Sequence, residues 1–276
     1  MDHRLRLHTV FALIIFLSFT SSLFAGFSVY PRYIVLDASQ RMVPLRVNNT
    51  GSQDLEVSVE VKYGYVISDD SGKPAIVMDT LSGEPTSAAE WIKPYPERFI
   101  LPFGEIQTVR LVAYPPPGLP DGEYWARIIV TGVPRKPPPT AAAGQGKGKS
   151  GLVMTQAIGL PVHYRKGNVS TGVEVTDFRV TPSHADIVCS MNLTRTGNAS
   201  FAGRWKIRFE NEEGKVVSTS TFPLVVFKSF FLEKKFSRDA IPTGRYTVQV
   251  EIVSDGKNKK QIPTAPVRLS MNIEIP

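Results

Sequence analysis

Residues 143–150, Ala-Gly-Gln-Gly-Lys-Gly-Lys-Ser, come within one residue of a phosphate-binding loop, whose glycines and lysine cradle the phosphates of a nucleotide. That chemistry needs a buried strand before the loop and a helix after it, so that backbone amides point at the phosphate. Here Pro137, Pro138 and Pro139 precede the motif and a strand pattern follows it, so a nucleotide site is rejected. The four histidines offer no metal site. His3 and His8 lie at the N-terminus, and His163 and His184 stand alone without ligand spacing, so each is expected on the surface of a strand. The single Cys189 alternates with Ile187, Met191 and Leu193 and is expected to be a small core residue. Asn48, Asn168, Asn192 and Asn198 fit the short glycosylation pattern, which matters only in a host that glycosylates. No nucleophile stands beside a base. The expectation is a protein that is not an enzyme and uses no cofactor and no metal.

Charge and the N-terminus bound the partners. The formal net charge is +7, but Lys and Arg are spread along the chain apart from Lys257, Lys259 and Lys260. A nucleic-acid face would concentrate them, so nucleic acid is not an expected partner. Arg4 and Arg6 precede an apolar stretch at residues 10–19 that is too short to span a bilayer, and small residues follow up to Ala25. Residues 1–25 therefore read as a cleaved secretory signal, and the mature chain is expected to be exported to the periplasm without an integral membrane segment. With one cysteine and no internal disulfide, packing alone must hold the exported chain together.

What remains is written in strands and turns. Leu101-Pro102-Phe103-Gly104 is a turn followed by alternation from Ile106, and Leu119-Pro120-Asp121-Gly122-Glu123-Tyr124 is a second turn opening a second strand. Val43, Leu45 and Val47 alternate, Asn48-Asn49-Thr50-Gly51 turns the chain, and Leu55, Val57, Val59 and Val61 alternate again, which predicts a hairpin. Residues 67–97 look irregular, with Trp91 as their anchor into the core, and residues 134–150 read as a flexible loop. The turn at residues 119–124 is echoed by Ile241-Pro242-Thr243-Gly244-Arg245-Tyr246, and residues 45–51 by residues 191–197. A Tyr just after such a turn often closes a sandwich corner by bonding back to the backbone. The fold class is therefore all-β, with two immunoglobulin-like β-sandwich domains in tandem after the signal, at residues 26–166 and 167–276.

The order of the first domain's turns and strands resembles the periplasmic chaperones that assemble pili by the chaperone–usher route. Tyr30-Pro31-Arg32-Tyr33-Ile34-Val35 is similar to the family's Arg-bearing first strand. Leu101-Pro102-Phe103-Gly104 with Gln107, Val109 and Arg110 is similar to its Pro-Gly turn and the strand after it. Asp121-Gly122-Glu123 is similar to its acidic turn, with Gly where Arg is usual, and residues 152–165 are similar to its last first-domain strand, ending in Tyr164-Arg165. The resemblance implies a chaperone that lends that strand to an exported, pilin-like subunit by β-strand addition, with an outer-membrane usher as a further partner. It implies that Leu152, Met154, Gln156 and Ile158 pair with the client, that Arg32 anchors a carboxylate, and that Glu123 and Arg165 pair at the interdomain hinge. The family's Lys position on the last strand is Pro161 here. Two alternatives stay open: the 152–158 face packs within the protein's own sandwich, and the chain is a structural or adhesive surface protein of immunoglobulin-like spacers.

Overall fold

A computed structural model describes residues 26–79, 85–135, 154–183, 185–254 and 262–276. The expected secretory signal, the phosphate-loop look-alike, Leu152 and His184 lie outside those residues. Among the described residues the only helix is one 3-10 turn at Arg238–Ala240. Everything else regular is strand.

Ten strands build the first sandwich: β1 (Phe27–Tyr30), β2 (Ile34–Asp37), β3 (Met42–Asn49), β4 (Leu55–Ser68), β5 (Pro74–Asp79), β6 (Ile92–Tyr95), β7 (Arg98–Leu101), β8 (Ile106–Ala113), β9 (Gly122–Pro134) and β10 (Gln156–Lys166). One sheet runs β1-β3-β8-β6 and the other β2-β10-β9-β4-β5, with β7 also on β4. Alternate residues of each strand enter the core, as the pleat requires. Val43, Leu45 and Val47 from one sheet meet Val57, Val59, Ile128 and Val130 from the other, with Leu160, Val162 and Tyr164 of β10 closing the side.

The predicted hairpin at residues 43–61 does not form. β3 pairs with β1 and β8, while β4 pairs with β9, β5 and β7, so the chain arches from one sheet to the other. Both strands carry apolar alternation, and each buries its face against the other instead of sharing a ladder. Asn49 fixes the arch, donating from Nδ2 to Gln53 O at 2.8 Å and Leu101 O at 3.0 Å and accepting from Gly51 N at 3.1 Å. The stretch expected to be irregular contains β5 and β6, with Trp91 edge-on to Tyr164 at 5.0 Å.

The second sandwich holds β11 (Thr171–Pro182), β12 (Asp186–Gly197), β13 (Phe201–Asn211), β14 (Val216–Val226), β15 (Ser229–Ser237), β16 (Gly244–Ser254) and β17 (Val267–Ile275). Its sheets run β11-β12-β15 and β14-β13-β16-β17. A separate core lies between them, with Cys189 fully buried beside Met191, Trp205, Ile207 and Phe209. The protein is all-β, two immunoglobulin-like β-sandwiches.

The two echoed turns do the same work. Tyr124 donates to Pro120 O at 2.9 Å and Tyr246 to Pro242 O at 3.0 Å, each tying the start of a strand to the turn before it. Both tyrosines pack against the core of their own sandwich, so each corner is locked by burial and by a hydrogen bond.

Candidate functional site: an open strand edge and the joint beside it

The N-terminal segment is divided between the two sheets, and this division shapes the site. β1 forms the edge of one sheet alongside β3, after which the chain crosses over, and β2 joins β10 in parallel in the other. That pairing covers only Val162, His163, Tyr164 and Arg165 of β10, opposite Ile34, Val35, Leu36 and Asp37. On its other side β10 pairs with β9 along its whole length, from Gln156↔Gly132 to Lys166↔Gly122. Residues 156–161 are therefore paired on one side only, among the described residues. Pro161, which has no N–H to give a ladder, is the last residue before the covered half begins. Among the described residues, half of β10 is a sheet edge with unpaired backbone groups.

The side chains expected to pair with a client are distributed unevenly. Met154, two residues before the strand, is 68% exposed. Gln156 turns back onto β1, accepting from Phe27 N at 2.9 Å through Oε1 and donating from Nε2 to Phe27 O at 3.5 Å. Ile158 is partly buried against the first core. Even-numbered residues of β10 thus face the protein's own interior, from Ile158 through Leu160, Val162 and Tyr164. Arg32 lies between β1 and β2, exposed, with no ion pair or hydrogen bond among the described residues.

The covered half of β10 leads into a polar joint. Glu123 opens β9 directly opposite Arg165. Its carboxylate is buried and fully engaged: Arg165 Nε donates to Oε2 at 2.8 Å, and Ser200 N donates to Oε1 at 3.1 Å. Ser200 Oγ also donates to Oε1, and His163 Nδ1 stands 3.1 Å from it without the alignment of a hydrogen bond. Burial by itself raises the Glu123 pKa, but His163, Ser200 and Arg165 outweigh it and hold the carboxyl down at about 2. Burial and the negative charge of Glu123 push the nearby Tyr33 hydroxyl up to about 12, although Arg165 opposes them.

Because Ser200 begins the second sandwich's β13 side, this carboxylate bonds both domains. Neighbouring backbone groups repeat the link. Glu123 N donates to Asn198 O at 3.0 Å, and Asn198 Nδ2 donates to Asp121 O at 3.2 Å and to Asn168 O at 3.0 Å. Asn168 N donates to Asp121 Oδ2 at 3.0 Å. Between them Gly167 has φ +58, in the left-handed region that favours glycine, and a Cβ there would collide with the Asp121 carboxylate. Beside this polar seam lies an aromatic one. Phe227 of the second domain packs edge-on to Trp125 at 5.2 Å and stacks on His163 at 5.9 Å, and Lys228 Nζ lies 4.8 Å over the Tyr65 ring. Farther along, Ser68 Oγ accepts from Phe231 N at 2.7 Å.

Several participants escape sequence reasoning. His163 was expected on a strand surface, yet it is 2% exposed, because Phe227 from the other domain covers it. The available signal was its position two residues before Arg165, on the same face of one strand. Tyr33 lies within the Arg-bearing first-strand motif but was given no role, and Ser200 carries no motif. Arg127, a cation between Ala126 and Ile128, is only 7% exposed and was not singled out, although a charge inside so apolar a strand is itself a signal.

Among the described residues no cluster of His, Cys, Asp and Glu is arranged to hold a metal, and no helix is long and apolar enough to cross a membrane. No family model and no curated protein matches the chain. Solved structures do. One is the CsuC–CsuE chaperone–tip adhesion subunit pre-assembly complex from the archaic chaperone–usher Csu pili of Acinetobacter baumannii, 16% identical, covering 88% of this chain and 98% of that one, with a TM-score of 0.46. The YadV chaperone is 13% identical over 90% of this chain and 99% of its own, with a TM-score of 0.46. The Salmonella enterica SafA pilin in complex with the SafB chaperone gives 13% identity, 89% and 96% coverage, and a TM-score of 0.43. At such identities the residues that bind have to be found in this chain's own geometry.

Proposed function

We propose that this protein is a periplasmic assembly chaperone, not an enzyme, which holds exported pilin-like subunits by β-strand addition along residues 156–161. The observation that carries the reading is the half-covered β10: β2 closes the strand from Val162 onward and leaves the preceding six residues paired on one side only. An unpaired edge is a template for another chain's backbone, and alternate side chains supply the specificity. The sequence resemblance in the order of turns and strands across the first domain points the same way. An outer-membrane usher would then receive the loaded chaperone. Glu123 and Arg165, as hinge residues, set how the second sandwich stands beside the lent strand, and Arg32 stands exposed at the crossing from β1 to β2 as a candidate carboxylate anchor.

The test is capture of a pilin-type subunit that lacks one strand. Co-exported with this chain, such a subunit is expected to be recovered as a soluble complex, and Met154→Asp to weaken capture without lowering the melting temperature, because Met154 is exposed in the free protein. A subunit that stays aggregated in the presence of the wild-type chain would turn the reading back toward a passive spacer.

A further inference from the structure

Among the described residues, Arg127 is a buried cation without a counter-charge. It lies on β9 between Ala126 and Ile128, which face the first core, so its side chain leaves on the opposite, outer face of the sheet. No carboxylate among the described residues stands within ion-pair distance of it, and its one hydrogen bond is from Nη2 to Gly159 O at 3.3 Å. Burial unrelieved by any acid lowers its pKa. Desolvating a guanidinium is expensive unless it is paired, so a buried one without an acid is a candidate point of attachment for an arriving anion.

The surroundings show where that partner would enter. Arg127 stands opposite Lys62 on β4 and Pro161 on β10. Lys62 is engaged by Glu60 at 2.9 Å, which leaves the guanidinium as the uncompensated charge. Its stem passes Gly64, where a Cβ would meet Met78 Sδ at 2.8 Å and Arg127 Cδ at 3.0 Å, so the apolar stem is sheltered on the β5 side. Its head lies on the β10 side. A Cβ at Gly159 would stand 3.7 Å from both Nε and Nη2. Gly159 is exposed and has no side chain, which makes it a window from solvent onto the guanidinium. That window opens within the unpaired 156–161 edge.

We infer that Arg127 is an anion anchor for the open edge of β10, binding through Gly159's window a carboxylate borne by the segment that pairs there. The inference rests on strand addition as the protein's function, and it differs from the expectation for Arg32, which is exposed and lies on another element. Nε and Nη2 face the window together, and a guanidinium offers a carboxylate two parallel donors where an ammonium offers a point charge. The carboxylate is either a chain terminus or an acidic side chain.

Two measurements on the full mature chain test this. The first follows the Arg127 Nε–Hε resonance during titration with sodium acetate, with sodium chloride at equal ionic strength as the reference. A saturable shift with acetate alone is expected, and its absence overturns the site whatever the protein's function. The second compares three extended peptides of alternating apolar residues: one with a free C-terminus, one amidated, and one amidated with a single internal Glu. The wild type is expected to prefer one carboxylate-bearing peptide over the plain amide by about tenfold, and which one it prefers identifies the source. Arg127→Met, which keeps the stem, is expected to abolish that preference while leaving amide binding unchanged; Arg127→Lys should restore only part of it. A preference that persists in Arg127→Met overturns the anchor and leaves strand addition standing. Acetate binding with no peptide binding at all supports the anion site and removes strand addition.

Discussion

Glu123 shows how one side chain comes to hold two domains. A carboxylate that is 2% exposed would ordinarily be costly, but here it receives Arg165, Ser200 and the edge of His163. Its pKa in the folded protein, about 2, lies below the ordinary value of 4.5. A depressed carboxyl pKa stabilises the fold above the unfolded value, and that stabilisation fades as pH falls through the folded one. The melting temperature of the wild type should therefore exceed that of Glu123→Gln at neutral pH, with the gap closing between about pH 4.5 and 2. A gap that stays constant across that window would show that the charge of Glu123 is not what the joint uses. The family resemblance named Glu123 with Arg165, but residue types alone could not reveal the rest of the grouping. Glu123 and Arg165 are 42 positions apart in sequence, and Ser200 is 77 positions from Glu123.

Among the elements, local chemistry was legible and pairing was not. The turns at residues 119–124 and 241–246 can be read directly, because Pro and Gly restrict the backbone where they stand and Tyr follows at a fixed offset. Both tyrosines then make the same hydrogen bond, to Pro120 and to Pro242. Because the two cores are separate, each corner should be independently removable. Tyr246→Phe is expected to cost about 1 kcal/mol in the second sandwich, and Tyr124→Phe a similar amount in the first. Losses in the double variant that clearly exceed the sum, measured by denaturant unfolding, would show coupling the separate cores do not explain. The arch between β3 and β4 was misread as a hairpin because alternation reports which face is buried and says nothing of which strand lies alongside. For the same reason β10 looked like one uniform strand from residue 152. Its division into a covered half and an open half depends on β2, more than a hundred residues earlier in the chain.

At the scale of the molecule, the second sandwich works as a brace for the first. It touches the covered half of β10 through Phe227 on His163 and the start of β9 through Ser200 on Glu123, and it meets β4 through Phe231 and Ser68. None of these contacts reaches residues 156–161. The strand is thus fixed at one end by β2 and the joint, and carries an open edge with Arg127 beneath it at the other. The fold class could be read from the sequence because turns and alternation recur through both halves. The charge of Arg127 within an apolar strand was a signal, but its isolation could not be read, since that depends on the neighbouring strands β4, β5 and β10. The most direct test of the account is amide hydrogen exchange along β10, in the free protein and in complex with a strand-deficient subunit. The account predicts slow exchange at residues 162–165 in both states. In the open half, amides left unbonded by β9 should exchange fast when free and become protected on binding. Protection of residues 156–161 that is already complete in the free protein, or that does not change when the subunit binds, would contradict it.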